Sequence, residues 1–120
     1  MKILIVDDSK AMRMIVRRTL NQAGFDAHEV EEAENGREGL TKVGSFGPDL
    51  VLSDWNMPEL NGIDFLRNLR AQGNQVQFGF ITSEGTAEMR ELASSNGAKF
   101  LISKPFDGDT FREVLTPYLS

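Results

Sequence analysis

The chain has 120 residues, of which 40% are hydrophobic and 26% charged, so it is long enough for one packed domain and lacks the composition of a disordered segment. A formal net charge of -5 without any run of Lys or Arg argues against direct binding to nucleic acid or to an anionic lipid surface, which require a basic stripe. With no cysteine there is no disulfide framework, thiolate metal site or cysteine nucleophile, and a reducing, cytoplasmic compartment is the expectation.

The apolar run Ile3–Val6 stops at Asp7-Asp8, too short for a signal peptide or a membrane span, and reads as a strand buried on both faces. Met12, Ile15, Val16, Leu20 and Ala23 follow at helical spacing, with Gly24 as the stop and Ser9 or Asp8 as the N-cap. Residues 27–33 carry Glu29, Glu31 and Glu32, which suits a solvated sheet edge, and His28 is expected in that strand as a half-exposed residue. Asn35-Gly36 then breaks the chain, and Leu40, Val43 and Phe46 mark a short second helix. Leu50, Val51 and Leu52 form a third strand ending at Ser53-Asp54, and Ile63, Leu66 and Leu69 line a third helix that closes at Gly73. Phe78, Phe80 and Ile81 form a fourth strand ending at Thr82-Ser83. Thr86 caps a helix that carries Met89, Leu92 and Ala93 on its apolar face, and Gly97 closes it. Phe100, Leu101 and Ile102 make the fifth strand, which runs into Ser103-Lys104-Pro105. The last helix opens near Asp107 or Asp109, presents Phe111, Val114, Leu115 and Tyr118, and is expected to end or distort at Pro117. Met12 and Met89 are expected to fill core, and Trp55 either flanks the polar site or covers apolar surface.

Five alternations of short strand and longer helix predict an α/β fold: a parallel sheet with helices on both faces. In such a sheet, ligands bind beyond the carboxyl ends of the strands, where the winding direction reverses. Four of the five strands end there in polar residues: Asp7-Asp8, Asp54, Thr82 and Lys104. Gathered carboxylates repel one another, and a hard divalent cation with oxygen ligands relieves that repulsion. A carboxylate can then attack phosphorus, provided that a metal, an ammonium and a hydroxyl neutralise the phosphoryl oxygens. Each of these residues alone has an ordinary structural explanation, such as a cap, a backbone bond or a surface charge. The four together, in this order on these strand ends, point to phosphoryl chemistry.

Ile3-Leu4-Ile5-Val6-Asp7-Asp8-Ser9, Asp54-Trp55-Asn56-Met57-Pro58 with Gly62, Ile81-Thr82-Ser83-Glu84, Gly97-Ala98 and Lys104-Pro105-Phe106 together resemble the receiver domains of two-component response regulators, and among these the CheY-type chemotaxis regulators. The resemblance spans residues 1–120 as a single receiver domain and leaves no room for an output domain. It implies a flavodoxin-like strand order 2-1-3-4-5. It makes Asp54 the phosphoacceptor and gives Mg2+ to Asp7, Asp8, Asp54 and the backbone carbonyl of Asn56. Thr82 would bond a phosphoryl oxygen and swing inward, and Lys104 would pair with the phosphate across a Lys104-Pro105 bond that the family usually holds cis. Asn56 and Glu84 fall where the family tunes the lifetime of the phosphoryl group.

The implied protein is a monomeric, cytoplasmic signalling protein rather than an enzyme, and it catalyses only its own phosphorylation and dephosphorylation. Its donor would be a histidine kinase of the CheA kind. Its output partner would be a flagellar motor switch protein or another protein, bound through the fourth helix, fifth strand and fifth helix. One position departs from the pattern: the family usually has Tyr or Phe three residues before the Lys, where this chain has Leu101 with Phe100 beside it. The alternatives are a receiver acting as phosphate sink, a phosphorylation-independent binding module, and a magnesium phosphohydrolase with an Asp nucleophile. The last of these would usually carry a second acid where Asn56 stands.

Overall fold

A computed structural model describes residues 1–119. Five strands, β1 (Lys2–Val6), β2 (Glu29–Ala33), β3 (Leu50–Ser53), β4 (Gln77–Thr82) and β5 (Phe100–Ser103), form one parallel sheet in the order β2-β1-β3-β4-β5. Between and after them run α1 (Lys10–Gln22), α2 (Gly36–Phe46), α3 (Gly62–Ala71), α4 (Ala87–Ser95) and α5 (Gly108–Leu119). The expected doubly wound arrangement is present.

Alternation along the central strands divides the interior into two apolar layers. Leu4, Val6, Val51, Phe78 and Phe80 face α2, α3 and α4, meeting Val43, Phe65, Leu66, Leu69 and Ala93. Ile3, Ile5, Leu50, Leu52, Ile81 and Ile102 face α1 and α5, meeting Val16, Leu20, Phe111 and Leu115. β1 and β3 are therefore buried on both sides and read as continuous apolar runs.

Local chemistry sets the element ends. The side chains of Ser9, Asn35, Asn61 and Thr86 each accept a backbone N–H of the first turn of α1, α2, α3 and α4, which satisfies an otherwise orphaned donor. Asp107 does the same for α5 by accepting the Thr110 N–H at 2.9 Å.

Five local expectations are corrected. β2 begins at Glu29 rather than at residue 27, and His28 lies in the bend before it, where its Nδ1 is 3.1 Å from the N-terminal amine. The acidic edge is not simply solvated. Glu31 pairs with Lys42 of α2 at 2.9 Å, and Glu32 pairs with Arg13 at 2.7 Å and with Arg17, so alternate acids lean onto helices on opposite faces. Ile15 and Leu92 are exposed, at 42% and 37%, because the buried stripes of α1 and α4 run through Arg13, Val16 and Leu20 and through Ala93. Pro117 does not end α5, which continues to Leu119. Buried Leu115 and Leu119 hold that last turn down, and the Thr116 hydroxyl donates to the Arg112 carbonyl within it.

Candidate functional site

The carboxyl ends of β1, β3, β4 and β5 bring the expected polar residues to one rim. Asp7 is buried and Asp8, the next residue, is exposed, because the chain turns outward there into the Ser9 cap. Asp54 follows β3 and is half-buried. One carboxylate oxygen from each of Asp7, Asp8 and Asp54 lies within 4.8 Å of the others. The Lys104 amine reaches in from the end of β5, 3.4 Å from Asp7 Oδ2 and 3.6 Å from Asp54 Oδ1.

Burial pushes the Asp7 carboxyl above its ordinary value of 3.8, against the Ser9 N–H that it accepts at 2.9 Å and the Lys104 ammonium beside it. Burial also raises Asp54, the Asp7 charge adds to the effect, and Lys104 and the Trp55 N–H oppose it. One ammonium does not compensate three carboxylates. The surplus of negative charge on an oxygen-only donor set, partly open to solvent through Asp8, fits a hard divalent cation that retains water ligands, as magnesium does.

Thr82 is fully buried at the end of β4, and its Oγ1 accepts the Glu84 N–H at 3.2 Å, which leaves the hydroxyl proton free to donate. Glu84 and Asn56 are exposed, each two residues beyond a strand-end residue of the rim, Thr82 and Asp54 respectively. The loop that carries Asn56 is pinned close to Asp54: the Gly62 N–H donates to the Trp55 carbonyl at 2.7 Å, and a Cβ on Gly62 would stand 2.2 Å from the Asp54 carbonyl. The Lys104-Pro105 bond is cis. Trp55 turns away from solvent, its ring 4.6 Å from that of Phe80, so it covers the apolar layer beneath the site.

Leu101 and Phe100, both half-buried, occupy opposite faces of β5. Leu101 packs on the Thr82 side with the α4 layer, whereas Phe100 lies over Gly79 and against Tyr118, with ring centroids 5.4 Å apart, on the α5 side. The aromatic ring beside Leu101 in sequence therefore does not stand in for one next to Thr82.

Arg13 is a residue that the motifs do not mark. Its Nη1 donates to the Asp7 carbonyl at 2.6 Å and its Nε to Glu32, which ties the Asp7 end of β1 to β2. Its one signal in the sequence is a charge on the apolar stripe of α1, three residues before Val16 and seven before Leu20.

The profile of the response regulator receiver domain matches residues 3–116. "Chemotaxis protein CheY1" of Helicobacter pylori is 38% identical over 118 residues, covering 96% of this chain and 94% of that protein. "Chemotaxis protein CheY-3" of Vibrio cholerae is 39% identical over 117 residues, covering 96% and 88%. Among solved structures, the Vibrio cholerae chemotaxis protein CheY4 superposes with a TM-score of 0.86 at 35% identity, covering 98% of both chains. A response regulator receiver domain protein of Clostridium thermocellum superposes at 0.84 with 26% identity, covering 98% of this chain and 93% of that one. No described helix is long and apolar enough to cross a membrane.

Proposed function

The chain belongs to the response regulator receiver family, a family of phosphoacceptor signalling proteins, and from that premise we propose that Asp54 takes a phosphoryl group from the phosphohistidine of a partner kinase in a magnesium-dependent reaction. The observation that carries this reading is the convergence of three carboxylates within 4.8 Å, with the Lys104 amine 3.6 Å from Asp54.

In the reaction, an Asp54 oxygen forms a bond to phosphorus while the bond from phosphorus to the donor imidazole nitrogen breaks, and its electron pair stays with the imidazole. Asp7, Asp8 and the Asn56 backbone carbonyl would hold the metal with Asp54. When bound, magnesium supplies a double positive charge against the phosphoryl oxygens. Lys104 pairs with one of those oxygens and Thr82 donates its hydroxyl proton to another, which stabilises the aspartyl phosphate. Water later attacks the phosphorus and the Asp54–phosphorus bond breaks, with Asn56 and Glu84 controlling that water. The signal leaves by protein contact through α4, β5 and α5. The relatives named for chemotaxis favour a chemotaxis role, with the flagellar motor switch as the output partner, and we place the protein in the cytoplasm as a monomer.

Incubation with labelled acetyl phosphate and magnesium, followed by mapping of the label, tests the chemistry. The expected result is one equivalent on Asp54, lost in Asp54→Asn and in the presence of a chelator. Label taken up by Asp54→Asn at the wild-type rate sinks the reading, and turnover of a phosphate ester far beyond one equivalent would favour a phosphohydrolase instead.

A further inference from the structure

The loop between Thr82 and α4, residues 83–86, is held on two sides. At its root the Glu84 N–H donates to Thr82 Oγ1 at 3.2 Å. At its crest a single guanidinium, that of Arg90 in α4, clasps it to the edge of the sheet. Arg90 Nε donates to the Gly85 carbonyl at 3.4 Å, Nη1 to the Leu101 carbonyl at 3.2 Å and Nη2 to Ser103 Oγ at 3.2 Å. One planar fork thus joins the loop that follows Thr82 to two residues of β5, the second of which immediately precedes Lys104. The fit is close. A Cβ on Gly85 would stand 2.3 Å from Ser103 Oγ, 3.2 Å from Arg90 Nη2 and 3.6 Å from Leu101 Cδ2.

We propose that Arg90 is a latch that holds the loop after Thr82 against β5 in the resting protein, and that it releases when phosphorylation draws Thr82 inward. The proposal rests on the phosphoacceptor reading of the same site. Thr82 is bonded to the loop at Glu84, so motion of its hydroxyl toward a phosphoryl oxygen pulls on Gly85. Gly85 and β5 share the same guanidinium, so the loop cannot move away without breaking either its own bond to Arg90 or the two bonds that Arg90 makes to β5. With Leu101 in place of an aromatic ring, the polar clasp supplies the coupling between the chemical site and the α4–β5 face. Bonds present only in the resting state lower the population of the active state, and their removal raises it.

The test compares wild type, Arg90→Ala, Arg90→Lys and Ser103→Ala in two measurements. The first is amide hydrogen exchange of residues 83–86 and 101–103 in the unphosphorylated protein. The second is the rate of labelling of Asp54 by acetyl phosphate with magnesium. Arg90→Ala is expected to speed both by about fivefold, the lower end of ordinary coupling between sites. Ser103→Ala, which removes one acceptor, should speed both by less, and Arg90→Lys should fall between wild type and Arg90→Ala, because an ammonium cannot span three acceptors. Unchanged exchange in Arg90→Ala overturns the latch. So does faster exchange with unchanged labelling, which reduces Arg90 to a structural tie, and so does wild-type behaviour of Arg90→Lys. Absence of label on the wild-type protein overturns the phosphoacceptor reading itself, which is a different failure.

Discussion

Asp54 is costly in the resting protein because burial and the neighbouring Asp7 disfavour its charge, only partly offset by Lys104 and the Trp55 N–H. A carboxyl raised above 3.8 in the folded state costs stability wherever it is ionised, and the cost disappears below 3.8, where folded and unfolded forms both bind the proton. Asp54→Asn in metal-free buffer at pH 7 is therefore expected to unfold later in urea than wild type, by about 1 kcal/mol. The gain should shrink as the pH is lowered toward 3.8. A lower midpoint for the variant at pH 7 would show that the Lys104 pairing outweighs the repulsion. The five polar residues at four strand ends, Asp7, Asp8, Asp54, Thr82 and Lys104, were legible in the sequence, because a core does not end its strands in Asp, Thr and Lys without cause. Arg13 was not. Its role depends on which way the Asp7 carbonyl points, and nothing in spacing encodes that.

Glu32 is the clearest case of an element acting through one side chain. Burial alone would raise its carboxyl, but the hydrogen bonds from Arg17 and Arg13 outweigh it and hold the group below its ordinary value of 4.5. The contribution to stability is present above 4.5 and is lost as the pH falls through the lower folded value. Glu32→Gln should cost about 1–2 kcal/mol at pH 7, because it leaves two partly buried guanidinium groups without their carboxylate. Glu29→Gln, at an exposed position of the same strand, should cost less than about 0.5 kcal/mol, and chemical denaturation of the pair at pH 7 and below 4 checks both. At this scale the sequence identified β2 as an edge but misjudged its acids, since the alternation that sends Glu31 toward α2 and Glu32 toward α1 matters only once the helices are placed. A second element depends on the absence of a side chain. A Cβ on Gly79 would stand 2.0 Å from the Phe100 ring, so Gly79→Ala should cost about 1–3 kcal/mol through overpacking at the β4–β5 pair, read as a lower thermal midpoint.

At the scale of the whole molecule, the acids that burial and mutual repulsion penalise are the ones proposed to hold magnesium. A cation that binds only the folded form stabilises it by mass action, so magnesium at about 100 times its dissociation constant should add about 2.7 kcal/mol. Asp8→Ala should lose most of that gain while changing the metal-free stability little, because Asp8 is exposed. A titration of thermal midpoint against magnesium for both proteins decides it, and equal shifts would remove Asp8 from the metal site. Fold class and the placement of helices on both faces followed from five strand–helix alternations, the strand order was implied by the family resemblance, and the structure agrees with both. The two layers under the sheet were less legible: Ile15 and Leu92 show that apolar residues at helical spacing do not by themselves say how wide the covered stripe is.

The candidate site sits where strands run into helices, and at the other end of the sheet helices run back into strands through glycine turns. Gly24, Gly47 and Gly73 lie there with positive φ, and a Cβ at any of them would meet nothing within 4 Å. This far end is a free mounting point. A dye or a surface tether attached at this end would report on the protein or immobilise it, with the rim of Asp7, Asp8 and Asp54 still facing solution.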